Sequence, residues 1–407
     1  MRRVVVTGMA GISPIGNDWA TVAENLKSGN TGIQTMEDWE KYSGLNTRLG
    51  GPCDFTRPKH YSRKDVRSMG RVAIMATRAS ELALEQAQLL GHDKVTDGST
   101  GIAYGSSAGT PEAIGDFGNM LLNHNTDGLN ATSYIKMMAH TAAVNIGVYF
   151  GAKGRVITTS SACTSGSQGI GYAYESIKYG QQDIMIAGGA EELCATEAAV
   201  FDTLYATSTK NDTPGLTPSP FDVDRDGLVI GEGACTLILE EYEHACARGA
   251  NILAEIVGFG TNSDGNHVTQ PSSDTMANAM QRALDDGQLN PESIGYISAH
   301  GTATDRGDIA ESHATAKIFG HKTPISAFKS FTGHTLGACG ALEAWVAINM
   351  MNEGWVHPTA NLNSIDPECA QLDYVTNDIR PLDCEYVMSN NFAFGGINTS
   401  LIFKRCR

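Results

Sequence analysis

Two stretches of this chain read as one unit written twice: VITTSSACTSGSQGIGYAYESI, beginning at Val156, and PISAFKSFTGHTLGACGALEAWVAI, beginning at Pro324. Each runs from an apolar strand through a turn of small residues into a helical pattern. A repeat on that scale implies a duplicated α/β body. The flanking sequence extends the pattern, with strand-like VVVTGMAGI, TGIAYGS, GRVITTSS and DIMIAGGAEE in the first part, interleaved with helical patterns around 19–27, 73–90 and after Thr164. Near residue 251 the alternation restarts with ILAEIVGFGTNSD, TMANAMQRALDDG, IGYISAHGTATD and EYVMSNNFAFGGINTSLIFK. The fold class is therefore α/β, a mostly parallel sheet covered by helices on both faces. Its halves are 1–250 and 251–407, and no Pro-rich or charged linker divides them.

Charge and cysteine usage exclude several functions. With 29 Lys+Arg against 45 Asp+Glu the net charge is −16, which repels nucleic acid and anionic lipid. No apolar run reaches the roughly 18 residues that span a bilayer, and the polar, Gly-containing start lacks the apolar core of a signal peptide. The expected location is cytoplasmic. Nine scattered cysteines without a CxxC pair point to free thiols, not to a disulfide framework or zinc knuckle. The acidic stretch from Asp222 to Gly227 imitates a calcium loop but has Gly233 where the twelfth-position Glu belongs, so no metal is expected. GSSAGTPEAIG at 105 is neither a Walker loop nor GxGxxG.

Cys163, in Ser160-Ser161-Ala162-Cys163-Thr164-Ser165-Gly166, stands between a strand and a helix. Small neighbours permit a sharp elbow, and the helix N-terminus brings N–H groups and a positive dipole end to the sulfur, favouring thiolate. A nucleophile there has backbone donors beside it for an oxyanion; the alternative is a buried structural cysteine. His300 ends the strand of Tyr296-Ile297-Ser298-Ala299-His300, and Lys329 and His334 lie in KSFTGHTLGA. Both histidines fall at C-terminal strand ends, where open α/β sheets place their sites, although either alone also fits a hydrogen-bonded core residue. Together with Cys163 they suit thioester attack: a thiolate to take an acyl group, and imidazoles to hold the oxyanion or enolate. NNFAFGGIN, from Asn390 to Asn398, ends the last strand with a Gly pair that lets backbone approach a ligand.

Taken jointly, SSACTSG, HGTAT, KSFTGHTLGACGALEA, RDGLVIGEGA and NNFAFGGIN resemble the β-ketoacyl-acyl-carrier-protein synthases, a similarity running from VVVTGMAGI to the C-terminus. The resemblance implies a thiolase-like duplicated αβαβα five-layer fold, a homodimer and no redox cofactor. It implies that Cys163 carries the acyl chain, with the N–H groups of Cys163 and Phe394 as oxyanion hole and Phe394, beside Phe392, as gate. His300 and His334 would hold the malonyl thioester oxygen and Lys329 would tune them. Asp308, Glu311, Glu343, Thr302 and Thr304 would support the site. The partner would be an acyl carrier protein, docked on Arg63, Lys64 and Arg67, which lie at helical spacing in YSRKDVRSMG. Ala108 would leave the acyl pocket unblocked. Asn391, Ala393 and Ile397 depart from the usual NSFGFGGTN and resemble the synthases of aryl polyene pigment clusters, which elongate conjugated chains, some with a related partner subunit. A degradative thiolase resembles the chain less, because FAFGG stands where thiolases carry a second cysteine. A non-catalytic chain-length factor would have lost Cys163.

Overall fold

The computed structural model describes residues 1–406. Ten strands carry the architecture: β1 (Val4–Ile12), β2 (Thr100–Gly105), β3 (Val156–Thr159), β4 (Ile184–Glu191), β5 (Gly233–Glu241), β6 (Ala254–Ser263), β7 (Ile294–Ser298), β8 (Pro324–Ser326), β9 (Tyr386–Ala393) and β10 (Ile397–Lys404). Their order across the sheet is β8-β7-β9-β10-β6-β1-β5-β4-β2-β3, with the short strand Asp373–Tyr374 beyond β8. Read from each outer edge inward, both sets follow one order: third, second, fourth, fifth, first.

Directions repeat as well. β2 is parallel to β3 and β4, while β5 is antiparallel to β4 and β1. In the same way β7 is parallel to β8 and β9, while β10 is antiparallel to β9 and β6. Three antiparallel pairs, Val4 with Ile256 to Val6 with Ala254, join β1 to β6 and make the hydrogen bonding continuous. The sheet is thus mixed, which corrects the mostly parallel reading. The cause is visible in the second half: Phe394-Gly395-Gly396 turns β9 straight back into β10, with Gly395 at φ 91° and Gly396 at φ 75°. So short a connection joins only antiparallel neighbours, and left-handed backbone explains the Gly pair.

Helices α1 (Arg71–Gln86) and α2 (Thr141–Phe150) pack outside the first strand set, and α4 (Ser273–Gly287) and α5 (Asp305–Phe319) outside the second. Between them lie α3 (Ser165–Lys178) and α6 (Cys339–Glu353), which pack on each other and on strands of both sets. This is a five-layer thiolase-type arrangement. Nearly every side chain of α6 is buried, including Leu342, Trp345, Val346 and Met350, so it is enclosed on all faces, and its one fully buried charge, Glu343, is paired with Lys329. Glycine sets how closely the central pair approach: a Cβ on Gly166 would sit 2.8 Å from the Gly337 carbonyl oxygen. Among the described residues no helix is long and apolar enough to cross a membrane.

Candidate active site

The elbow before α3 is a short 3₁₀ turn, Ala162–Thr164, entered with Ala162 at φ 52°. A non-glycine residue there is strained, and surroundings must hold it. Ser165 does so from within: its hydroxyl donates to the Ala162 carbonyl at 2.7 Å and accepts from the Ser161 N–H at 3.0 Å. The elbow before α6 has the same construction, with Leu336 at φ 45° and Gly337 where the first elbow carries Cys163.

Cys163 is 4% exposed, and its Sγ lies 2.9 Å from His334 Nε2. His334 Nδ1 accepts from the Leu336 N–H at 3.2 Å, so the proton of the neutral ring resides on Nε2 and points at sulfur. His300 is arranged alike: its Nδ1 faces the Lys329 ammonium at 3.0 Å and the Asn391 amide at 3.4 Å, both donors. Its proton therefore also sits on Nε2. The rings meet edge to face, centroids 5.2 Å apart. Burial, with the Lys329 charge, holds both imidazoles well below their ordinary range, so each is a neutral donor at pH 7.

Lys329 is 1% exposed and spends all three N–H bonds inward: on His300 Nδ1, on the His300 carbonyl at 2.7 Å and on Glu343 Oε1 at 2.5 Å. Glu343 uses its other oxygen to accept from Asn391 at 2.6 Å. Glu311 accepts from the His300 and Gly301 N–H groups at 2.7 Å each, fixing the strand end that carries the imidazole. Asp308 accepts from the N–H groups of Phe221, Thr302 and Ala303, and Arg225 lies 3.7 Å away. Burial nonetheless pushes its carboxyl up to about 6.

A cavity of about 560 Å³ reaches the sulfur. Cys163, His300, His334, Glu311, Thr302, Thr304, Phe392 and Phe394 border it; Lys329, Asp308 and Glu343 stand behind. The backbone N–H groups of Phe394 and Cys163 itself approach the sulfur and favour its ionised form. The Phe394 ring packs edge-on against Phe201, centroids 5.6 Å apart.

Two expectations need correction. Burial outweighs those donors and the Lys329 charge and pushes the Cys163 thiol up to about 11, so the resting group is a thiol and not the thiolate the helix terminus suggested. Ser106, Ser107 and Ala108 donate to the buried Glu191. Arg63, Lys64 and Arg67 are exposed as expected, but on consecutive turns, not a regular helix. The Arg67 N–H bonds three residues back to Lys64, and the Val66 N–H four back to Ser62. Sequence reasoning also missed Glu191, which accepts from the Gly337 N–H at 3.0 Å, and the roles of Asn391 and Arg225. A charged pair closing an otherwise apolar strand, in AGGAEE, was the one signal available for Glu191.

One atom of each of Cys163, His300 and His334 lies within 4.8 Å of the others, as does one of each of His300, Cys339 and Glu343. Distance alone would admit a cation. The donors do not: a histidine ligand hands its second ring proton to an acceptor, whereas here Leu336 N–H and the Lys329 ammonium point at Nδ1.

Known proteins are similar to this chain along its whole length. A family model described as the N-terminal domain of beta-ketoacyl synthase matches residues 1–245, and the corresponding C-terminal domain matches 253–363. The 3-oxoacyl-[acyl-carrier-protein] synthase 2 of Vibrio cholerae is 38% identical over 99% of both chains. A crystal structure of a beta-ketoacyl synthase from Burkholderia phymatum superposes with a TM-score of 0.99 at 58% identity, covering 100% of both chains. A type II polyketide ketosynthase, solved with its acyl-carrier protein, gives 0.89 at 30% identity over 100% of both chains. With family models matching residues 1–245 and 253–363 and a relative 38% identical over 99% of both chains, the chain belongs to the β-ketoacyl synthase family.

Proposed function

We propose that this chain is a 3-oxoacyl-[acyl-carrier-protein] synthase, condensing malonyl-carrier protein with an acyl group held on Cys163. The observation that carries the reading is the tautomer pattern: both imidazoles keep Nδ1 on a donor and aim Nε2–H into the cavity beside the sulfur.

In the first half-reaction Cys163 Sγ attacks the acyl thioester carbonyl. The oxyanion is held by the N–H groups of Cys163 and Phe394, the carrier thiol leaves, and it takes up the proton that Cys163 loses. In the second, the malonyl thioester oxygen accepts from both Nε2–H groups. Carbon dioxide departs with its bonding pair left as an enolate, and the enolate carbon attacks the acyl-enzyme and expels Cys163 as a thiolate, which takes up one proton from water to become the thiol again. No step needs a net proton from either imidazole, which suits neutral donors backed by a fixed ammonium.

Carrier docking on Arg63, Lys64 and Arg67 and a homodimer belong to the same proposal. All three cations are exposed, and an acidic carrier needs such a patch on a chain of net charge −16. β3 ends the sheet with Val156 47% exposed, and α2, which packs on β3, carries Val148 76% exposed. A bare strand edge flanked by valines is a surface that a second copy covers by antiparallel pairing. The altered hairpin, with Asn391, Ala393 and Ile397, supports conjugated chains of the aryl polyene kind as substrates, some handled with a related partner subunit. Cys163 speaks against a chain-length factor.

Intact-protein mass spectrometry tests the reading. Wild type and Cys163→Ser are incubated with carrier proteins bearing short, long and polyunsaturated chains, then with malonyl-carrier protein. A Cys163-dependent adduct discharged as a ketoacyl product two carbons longer is expected, and absence of loading by every chain overturns it. Charge reversal at Lys64 and Arg67 should raise KM for carrier-bound substrate and spare a small thioester.

A further inference from the structure

Asn391 sits in β9 with its side chain wholly buried. Its Nδ2 donates to Glu343 Oε2 at 2.6 Å and stands 3.4 Å from His300 Nδ1 and 3.8 Å from Cys339 Sγ. Its Oδ1 has no hydrogen-bond partner and faces the Cα of Gly340. An unsatisfied amide oxygen in a dry interior is costly, so another gain must retain this side chain. Turning the amide over would set Oδ1 against the Glu343 carboxylate, so its orientation is fixed.

The gain is closure of a ring. Lys329 touches His300 Nδ1 and Glu343 Oε1; Glu343 Oε2 takes Asn391; the second Asn391 N–H returns to His300 Nδ1. Without the amide, Glu343 has one free oxygen and can rotate, drawing the ammonium from the imidazole. The titratable groups facing this ring are Lys329, Glu343, His300 and Cys339, with Glu311 at the His300 N–H, His334 against the His300 ring and Tyr296 near Glu343.

Resting on the synthase reading, we propose that Asn391 is a positioning residue for malonyl decarboxylation: it pins Glu343 and, through it, holds Lys329 on His300 Nδ1, so that His300 keeps its Nε2–H aimed at the thioester oxygen. Acyl loading uses Cys163 and the backbone oxyanion hole, neither of which touches Asn391, so the two half-reactions separate.

The experiment measures acyl loading by intact mass and carbon dioxide release from malonyl-carrier protein, each between pH 5.5 and about 9, for wild type, Asn391→Leu and Asn391→Ser. Leucine matches the volume and donates nothing; serine, the residue of the usual family pattern, keeps the variant set informative if leucine does not fold. Carbon dioxide release by Asn391→Leu should fall about tenfold to a hundredfold, the worth of a bond to a charged group, with loading within about threefold of wild type. The acid limb of release should move to higher pH, since the Asn391 bond favours ionised Glu343. Asn391→Ser should lie between. Release unchanged in both variants overturns the proposal, and so does equal loss of loading and release with an unmoved acid limb, which marks a structural role. A wild type inert in both assays overturns the synthase reading itself, and this proposal with it.

Discussion

Removing Lys329 gives the most exposed test of the buried network. Lys329→Met leaves Glu343, itself 1% exposed, with Asn391 as its remaining partner. A carboxylate without a cation in such a place takes up a proton. Bringing a carboxyl of ordinary value 4.5 to neutrality at pH 7 costs about 3.4 kcal/mol, at about 1.36 kcal/mol per unit, in line with the ~3–5 kcal/mol for breaking a buried pair. Unfolding entropy of about 2.1 cal/mol/K per residue makes this a fall of about 4 °C in Tm for a chain of 407 residues. Lys329→Met with Glu343→Gln removes both charges and should recover most of that. The sign with pH follows from linkage: in the single variant the folded carboxyl is raised above its unfolded value, so the penalty is absent below about pH 4.5 and grows as pH rises. Scanning calorimetry at pH 5, 6, 7 and 8 should show single and double variants within about 1 °C at pH 5 and about 4 °C apart at pH 7. Both should fail to decarboxylate, because His300 Nδ1 has lost its ammonium. Equal Tm values at pH 7, or a gap that does not widen with pH, would refute the reasoning.

The Cys163 thiol, pushed up to about 11, should be about one part in a thousand thiolate at pH 8, against about one in four for an ordinary cysteine. Its alkylation by iodoacetamide, followed by peptide mass spectrometry with the exposed Cys246 as comparator, should keep rising about tenfold per pH unit through pH 9 and 10; a plateau below pH 9 contradicts burial as the dominant influence. Gly166→Ala brings a Cβ to 2.8 Å from a backbone oxygen that cannot swing away. It should cost about 1–3 kcal/mol and slow acyl loading, and unchanged Tm and loading would show that α3 and α6 have slack. Val148→Asp should shift the sedimenting species from dimer to monomer if the β3 edge is the contact; an unmoved dimer places the interface elsewhere.

Sequence made Cys163 and His300 visible because one stands at an elbow and the other at a strand end, which two periodicities, 2 and 3.6, locate; Lys329 and His334 lie in the connection 327–335 between β8 and the second elbow. Everything set by partners distant in sequence was hidden. The Gly pair of NNFAFGGIN marks a strand end, but not that the chain turns straight back into an antiparallel partner. Helical spacing at 63–67 did not show that the segment lies on exposed turns with too few bonds to continue a helix. The state of the Cys163 thiol hinges on desolvation, which no local motif reports. Asn391 looked like one of two polar residues in a strand; its meaning comes from Glu343, 48 positions away.

The duplicated frame also explains how one site arises from two halves of the same strand order. Between the end of β3 and its strained residue lie only Ser160 and Ser161; between the end of β8 and Leu336 lie residues 327–335, which carry Lys329 and His334. The longer connection lets the second elbow reach across to the first, and its own nucleophile position is left as Gly337. The fourth strands exchange services in the same manner. Glu191, closing β4, accepts the N–H of Gly337 in the other half, and Phe394, just past β9, turns its N–H to Cys163. Each elbow is thus held from the opposite half, so neither half could assemble the site alone, and the absence of a flexible linker near residue 251 follows from the chemistry as much as from packing.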